Sequence, residues 1–146
     1  MIFSSNEWDT LREVVVGTAD SANFPVQDLD FKESMTNGAW TETEFQFGPV
    51  SAEIIERANI SLNKFSSMLE DLGIIVHRPL DRDYAALNQF YGYCPRDTVL
   101  IVGNNIICSP TKYTSRRQEW QTMAHVWKDQ QLVFPDDPDA MFDAAN

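Results

Sequence analysis

The clearest pattern in the chain is helical. Ile54, Ile55, Ala58, Leu62, Phe65, Leu69 and Leu72 recur at the spacing of one helix face, with Ser51 in front as a candidate N-cap and Gly73 behind as a terminator. The pattern predicts a helix over residues 51–72. Two β-branched runs flank it. Leu11-Arg12-Glu13-Val14-Val15-Val16 closes on Gly17 and reads as a buried strand; Ile74-Ile75-Val76-His77-Arg78 is a second, stopped by Pro79. Between the first strand and the helix, residues 18–50 show no sustained period and mix Gly, Pro, Asn and acids with Phe24, Phe31, Trp40, Phe45 and Phe47. A loop this long in a compact domain is more often functional or ligand-covering than idle.

Farther on, Thr98-Val99-Leu100-Ile101-Val102 and Ile106-Ile107-Cys108 flank Gly103-Asn104-Asn105, the composition of a hairpin turn. A second helix is expected over residues 115–127, with Trp120, Ala124 and Trp127 on one face. The remainder is rich in aspartate, with short apolar runs at Leu132-Val133-Phe134 and Ala140-Met141-Phe142. Strand, loop, helix and strand alternate as an α/β unit should, and no linker divides residues 1–146 into independent domains.

Composition adds that the chain can build a core: 43% of its 146 residues are hydrophobic and 12% aromatic. With 22 acidic against 11 basic residues it carries a formal charge of -11, which disfavours nucleic acid and anionic membranes as partners and favours cations, guanidinium compounds included. Acidic surfaces also serve solubility alone. The first residues do not form a basic start followed by an apolar stretch, and no apolar run approaches bilayer-spanning length, so a cytoplasmic protein is expected. Cys94 and Cys108 are too few and too far apart for a zinc site; they read as half-buried thiols, not nucleophiles and not a disulfide. Neither a metal site nor a phosphate-cradling glycine loop is visible, and no cofactor is expected.

Three segments carry a resemblance. They are Asn6-Glu7-Trp8-Asp9-Thr10-Leu11-Arg12-Glu13-Val14-Val15-Val16-Gly17; Pro95-Arg96-Asp97 with its hairpin, Pro110, Ser115-Arg116 and Glu119; and Phe142-Asp143-Ala144-Ala145-Asn146. Together they are similar to the glycine and inosamine-phosphate amidinotransferases of the pentein superfamily, in order and over nearly the whole chain. The resemblance implies an α/β propeller of five ββαβ modules, of which this chain corresponds to about the first two, as the N-terminal part of a single domain. It also implies a reaction in which a cysteine thiolate attacks the guanidinium carbon of arginine, ornithine leaves, and an amine acceptor takes the amidino group.

By the resemblance, Asp97 is a guanidinium-binding carboxylate; on local sequence alone it is a turn residue after Pro95. Asp143 corresponds to the carboxylate that orients a catalytic histidine, and otherwise reads as one more exposed acid in an acidic tail. Arg116 matches the family's Ser-Arg without a role that physics assigns to it; on local sequence it reads as a partner for one of the many carboxylates. His77 and His125 lie upstream of the family's histidine position and read as ordinary residues. Trp8 and Trp120 read as core or rim aromatics.

Asn146 stands where glycine amidinotransferases carry aspartate, and the interval before Phe142 is shorter than theirs. The family's histidine and cysteine lie beyond residue 146, so the 146-residue chain is expected to be inactive alone. The partners implied are arginine or another guanidino substrate, an amine acceptor such as glycine or an inosamine phosphate, and either the missing C-terminal half or a second copy, since a partial ring leaves edges open. Two other readings stand beside this one: a guanidine hydrolase of deiminase type, and a non-catalytic module that binds guanidinium ligands or a partner.

Overall fold

The structure, a computed structural model, describes residues 2–6, 8–37, 45–128, 130–137, 141, 142 and 144. Its first unit is a parallel crossover. Strand β1 (Glu13–Val15) pairs with β4 (Ile75–His77) in the register Glu13 to Ile75 and Val15 to His77, and α2 (Ala52–Asp71) connects them. The first strand is shorter than its β-branched run and only half-buried along Val14 and Val15; burial becomes complete at Val16 and Gly17, after the strand ends. There the chain passes against residues 92 and 93, with the Thr18 N–H donating to the Gly92 carbonyl at 3.0 Å. A Cβ on Gly17 would lie 1.9 Å from the Tyr93 carbonyl oxygen, so only glycine fits.

Helix α2 ends as its sequence predicts. Gly73 takes φ +79°, its N–H reaches the Glu70 carbonyl at 2.9 Å and the Ile74 N–H reaches Leu69 at 3.1 Å, a Schellman-type stop. Ser51 holds the N-cap position, but its side chain makes no capping bond. The apolar face is only partly covered. Leu69 is buried, while Ile54, Phe65, Met68 and Leu72 are each about half or more exposed, alongside Ile75.

Residues 18–50 are not a structureless loop. They hold β2 (Asn23–Phe24) and β3 (Gly48–Pro49), paired antiparallel, with α1 (Leu29–Thr36) between them. Helix α1 escapes pattern reading because it is two turns long and buries a single residue, Phe31. That ring centres an aromatic cluster, 4.5 Å from Phe90, 5.7 Å from Tyr113 and 6.0 Å from Phe45. Trp40 lies outside the described residues.

The hairpin forms as expected from β5 (Val99–Val102) and β6 (Asn105–Cys108), with Gly103 at φ +60° in the turn. Strand β7 (Leu132–Val133) adds in parallel to β6. Behind this sheet Ile106, Met123, Val126 and Trp127 form the main core cluster.

The helix expected over residues 115–127 is replaced by two 3-10 turns, Thr114–Arg116 and Glu119–Met123, and a single α-turn, α3 (Ala124–Trp127). Its inward residues include Ser115, Arg116, Glu119 and Thr122, while Ala124, assigned to the apolar face, is exposed. Buried polar groups anchored to other parts of the fold dictate this geometry, overriding the apolar period. Trp8 is 84% exposed and belongs to neither core nor rim; Trp120 is half-buried, its ring 5.3 Å from that of Phe134. Among the described residues no helix is long and apolar enough to cross a membrane.

Candidate functional site

Asp97 closes a 3-10 turn, Pro95–Asp97, that leads straight into β5. Proline pre-sets the first φ of such a turn. The Asp97 and Thr98 amides return to the Cys94 and Pro95 carbonyls at 3.2 and 3.1 Å, and the buried Thr98 hydroxyl also donates to Pro95. The carboxylate is therefore aimed by a short, doubly tied loop. Its Oδ2 accepts from Arg116 Nη1 at 2.8 Å; the other oxygen has no partner among the described residues, and the side chain is 23% exposed.

Arg116 is the centre of the cluster. Its Nε and Nη2 donate to the two oxygens of Glu119, each at 3.0 Å, and Nη2 also reaches the Cys94 carbonyl at 3.3 Å. The guanidinium carbon lies 5.6 Å from the centre of the Phe90 ring and 5.5 Å from that of Tyr91. The i, i+3 spacing of Arg116 and Glu119 on consecutive 3-10 turns brings them side by side. Burial works against the Arg116 charge, but Glu119 and Asp97 outweigh it and hold the guanidinium more firmly protonated than a free arginine. Burial pushes the Glu119 carboxyl up, and Arg116 only partly pulls it back.

The expected pairing of Arg116 with a carboxylate is thus realised twice over, and one of the partners is Asp97 itself. Asp97 and Glu119 share one guanidinium, and the Glu119 carboxyl, pushed up to about 7, carries only part of its charge near neutral pH.

The residues on either side of position 143 are tied to the Asp97 turn and to the end of β6. The Ala144 N–H donates to the Asp97 carbonyl at 3.0 Å, and the Ser109 hydroxyl donates to the Phe142 carbonyl. Asp143 itself lies outside the described residues, as does Asn146. Thr111, Lys112, Tyr113, Arg116, Met141 and Phe142 line a cleft of about 260 Å³ at this junction.

Sequence reasoning missed Asp28, which is 2% exposed. It caps α1 by accepting from the Phe31 N–H at 3.1 Å, and its second oxygen accepts from the Ser115 N–H at 2.9 Å and hydroxyl at 2.6 Å. Burial raises the carboxyl, but the Ser115, Phe31 and Thr114 donors overcome it and hold the group below the usual range. The only signal in the sequence was an N-cap aspartate three residues before a phenylalanine.

The remaining candidates keep their ordinary readings. His77 pairs with Glu13 at 2.5 Å on the β1–β4 sheet, and His125 is exposed on α3. Cys108 is more deeply buried than expected, which pushes its thiol up to about 11, away from nucleophilic use near neutral pH.

No family model matches the chain. Inosamine-phosphate amidinotransferase 1 of Streptomyces glaucescens is 34% identical over 120 residues, which are 76% of this chain and 34% of that protein. Mitochondrial glycine amidinotransferase of Gallus gallus is 30% identical over 138 residues, 88% of this chain and 32% of that one. The solved structure of an inosamine-phosphate amidinotransferase from Streptomyces griseus superposes with a TM-score of 0.84 at 27% identity, over 97% of this chain and 44% of the other. The likeness supports an α/β, pentein-like fold. The chain spans about a third of the length of the curated relatives it matches. In sequence and in fold it is homologous to the N-terminal part of the amidinotransferases.

Proposed function

We propose that this chain is the N-terminal part of an arginine-dependent amidinotransferase and that Asp97 holds the substrate guanidinium. The observation that carries the reading is the state of Asp97. It sits on a doubly tied turn beside Ala144, with one oxygen held by Arg116, which it shares with Glu119, and the other without a partner among the described residues. A planar cation could donate an N–H to that oxygen as a charge-assisted hydrogen bond.

In the reaction this implies, a thiolate forms a bond to the guanidinium carbon, the carbon–nitrogen bond to ornithine breaks, and the leaving nitrogen takes a proton. An acceptor amine, glycine or an inosamine phosphate, then attacks and the carbon–sulfur bond breaks. Asp143 would orient the histidine that moves these protons. The homologous sequences are about three times longer than the matched stretch, so the histidine and nucleophile are assigned to the part of the protein corresponding to their remainder.

Calorimetric titration of the chain with L-arginine tests the binding half. Binding that is lost in Asp97→Asn supports the reading; equal affinity in the two proteins sinks it. With a longer gene product, a new guanidino compound identifies amine transfer, and citrulline would instead mean that water is the acceptor.

A further inference from the structure

Asp28 does more than a cap requires. A helix N-cap needs one acceptor, which serine or asparagine supplies without burying a charge. Here a carboxylate is buried at 2% exposure, which is unfavourable unless its lone pairs are widely used. They are. One oxygen takes the Phe31 amide; the other takes the Ser115 amide and hydroxyl at 2.9 and 2.6 Å and the Thr114 hydroxyl at 3.4 Å.

Asparagine could face only one of these donor groups with its oxygen, leaving an NH2 against the other. Donor count on both sides therefore accounts for an acid at this position.

The far end of this cross-link is the turn Thr114–Arg116, so Asp28 grips the residue immediately before Arg116 from 87 positions away. A second contact runs in parallel: Phe31, on the helix that Asp28 caps, packs edge-on against Phe90, whose ring lies beside the Arg116 guanidinium. We propose that Asp28 is a positioning residue, which fixes the Ser115 turn and through it the Arg116 guanidinium that orients Asp97. That Asp97 receives substrate rests on the function proposed above; the mechanical coupling of Asp28 to Arg116 does not.

The test is hydrogen exchange in the 15N-labelled chain, read at the Arg116 Nε–Hε group and at backbone amides of α2 and the β5–β6 hairpin. In Asp28→Asn, which keeps an acceptor for α1, Arg116 Hε exchange should accelerate by about tenfold or more, the scale of one lost charge-assisted bond, while α2 and the hairpin keep their protection. Ser115→Ala removes a single donor and should act in the same direction by less; it decides the matter on the same criterion if Asp28→Asn does not fold. Unchanged Arg116 exchange in a folded variant, or acceleration in step with α2 and the hairpin, overturns the proposal. L-arginine affinity measured alongside should fall in Asp28→Asn. If the unsubstituted chain binds no arginine, the substrate reading of Asp97 fails, and the exchange result still decides this one.

Discussion

Replacing Glu119 by Gln puts the buried ion pair to the test. The Arg116 and Glu119 side chains are 7% and 3% exposed, and the pair is bidentate at 3.0 Å on both arms. Removing one partner of such a pair costs about 3–5 kcal/mol, because the remaining charge stays out of water. Asp97 still compensates Arg116 from 2.8 Å, and the Glu119 carboxyl, pushed up to about 7 by burial, is partly protonated near neutral pH, so the expected loss falls below that range, at about 2 kcal/mol. Glutamine keeps one acceptor but turns an NH2 toward an N–H of the guanidinium, so the second arm is lost and not merely weakened.

A domain of this kind has about 5–15 kcal/mol of stability in all. With a urea dependence of about 2 kcal/mol per molar, the unfolding midpoint should drop by about 1 M. Trp127, buried in the core cluster, provides a fluorescence probe. A double variant sharpens the test. Arg116→Met with Glu119→Met removes both charges, and Asp97, being partly exposed, can take water in place of Arg116. The double variant should lose less than the sum of the two single Met variants by about 2 kcal/mol. A midpoint change in Glu119→Gln worth less than about 0.5 kcal/mol, or strict additivity in the double variant, would refute the reasoning.

Two further predictions concern other parts of the fold. Gly17→Ala would drive a methyl group into the Tyr93 carbonyl and within 2.8 Å of the Gly92 carbonyl oxygen, both backbone atoms that cannot swing aside. It should destabilise by about 3 kcal/mol or more in the same urea assay, and a near-neutral result would mean the two segments are not in contact. Asp28 has its carboxyl held below the unfolded value, so its contribution is present above the unfolded value near pH 4 and is lost as pH falls through the folded one. The stability gap between the unsubstituted chain and Asp28→Asn should be flat from pH 8 to about pH 5 and narrow below about pH 4; a gap that widens on acidification contradicts the assignment.

What the sequence disclosed follows the reach of hydrophobic periodicity. Helix α2, its glycine stop and the β5–β6 hairpin were legible because each is specified by neighbours within a few positions. Helix α1 was not, since one buried phenylalanine sets no period, and its stability comes from Asp28 and from rings at positions 90 and 113. The stretch 115–127 misled for a related reason. Trp120, Ala124 and Trp127 mimic a helical face, but Arg116 and Glu119 are buried toward each other and 3-10 spacing is what aligns them. Burial of polar residues is decided by partners distant in sequence, and no local pattern reports it. Asp97 was singled out by its motif; that its first partner is an arginine of the same chain was not.

That internal pairing bears on why the site is built from three charged groups and not from Asp97 alone. A lone aspartate at the end of a turn can rotate about its last torsion and present either oxygen, so a cation arriving there would find several orientations. Arg116 occupies one oxygen and is itself fixed in plane by the fork of Glu119, by the Cys94 carbonyl and by its setting beside Phe90 and Tyr91. Lysine could not do this, because a single ammonium cannot span Asp97, Glu119 and Cys94 with fixed geometry. The Asp97 oxygen that has no partner among the described residues is thereby left pointing in one direction, which on the proposed reading is what would present a guanidinium carbon to a nucleophile in line. The stability held in the buried Arg116–Glu119 pair and the orientation of the exposed oxygen are consequences of the same four hydrogen bonds.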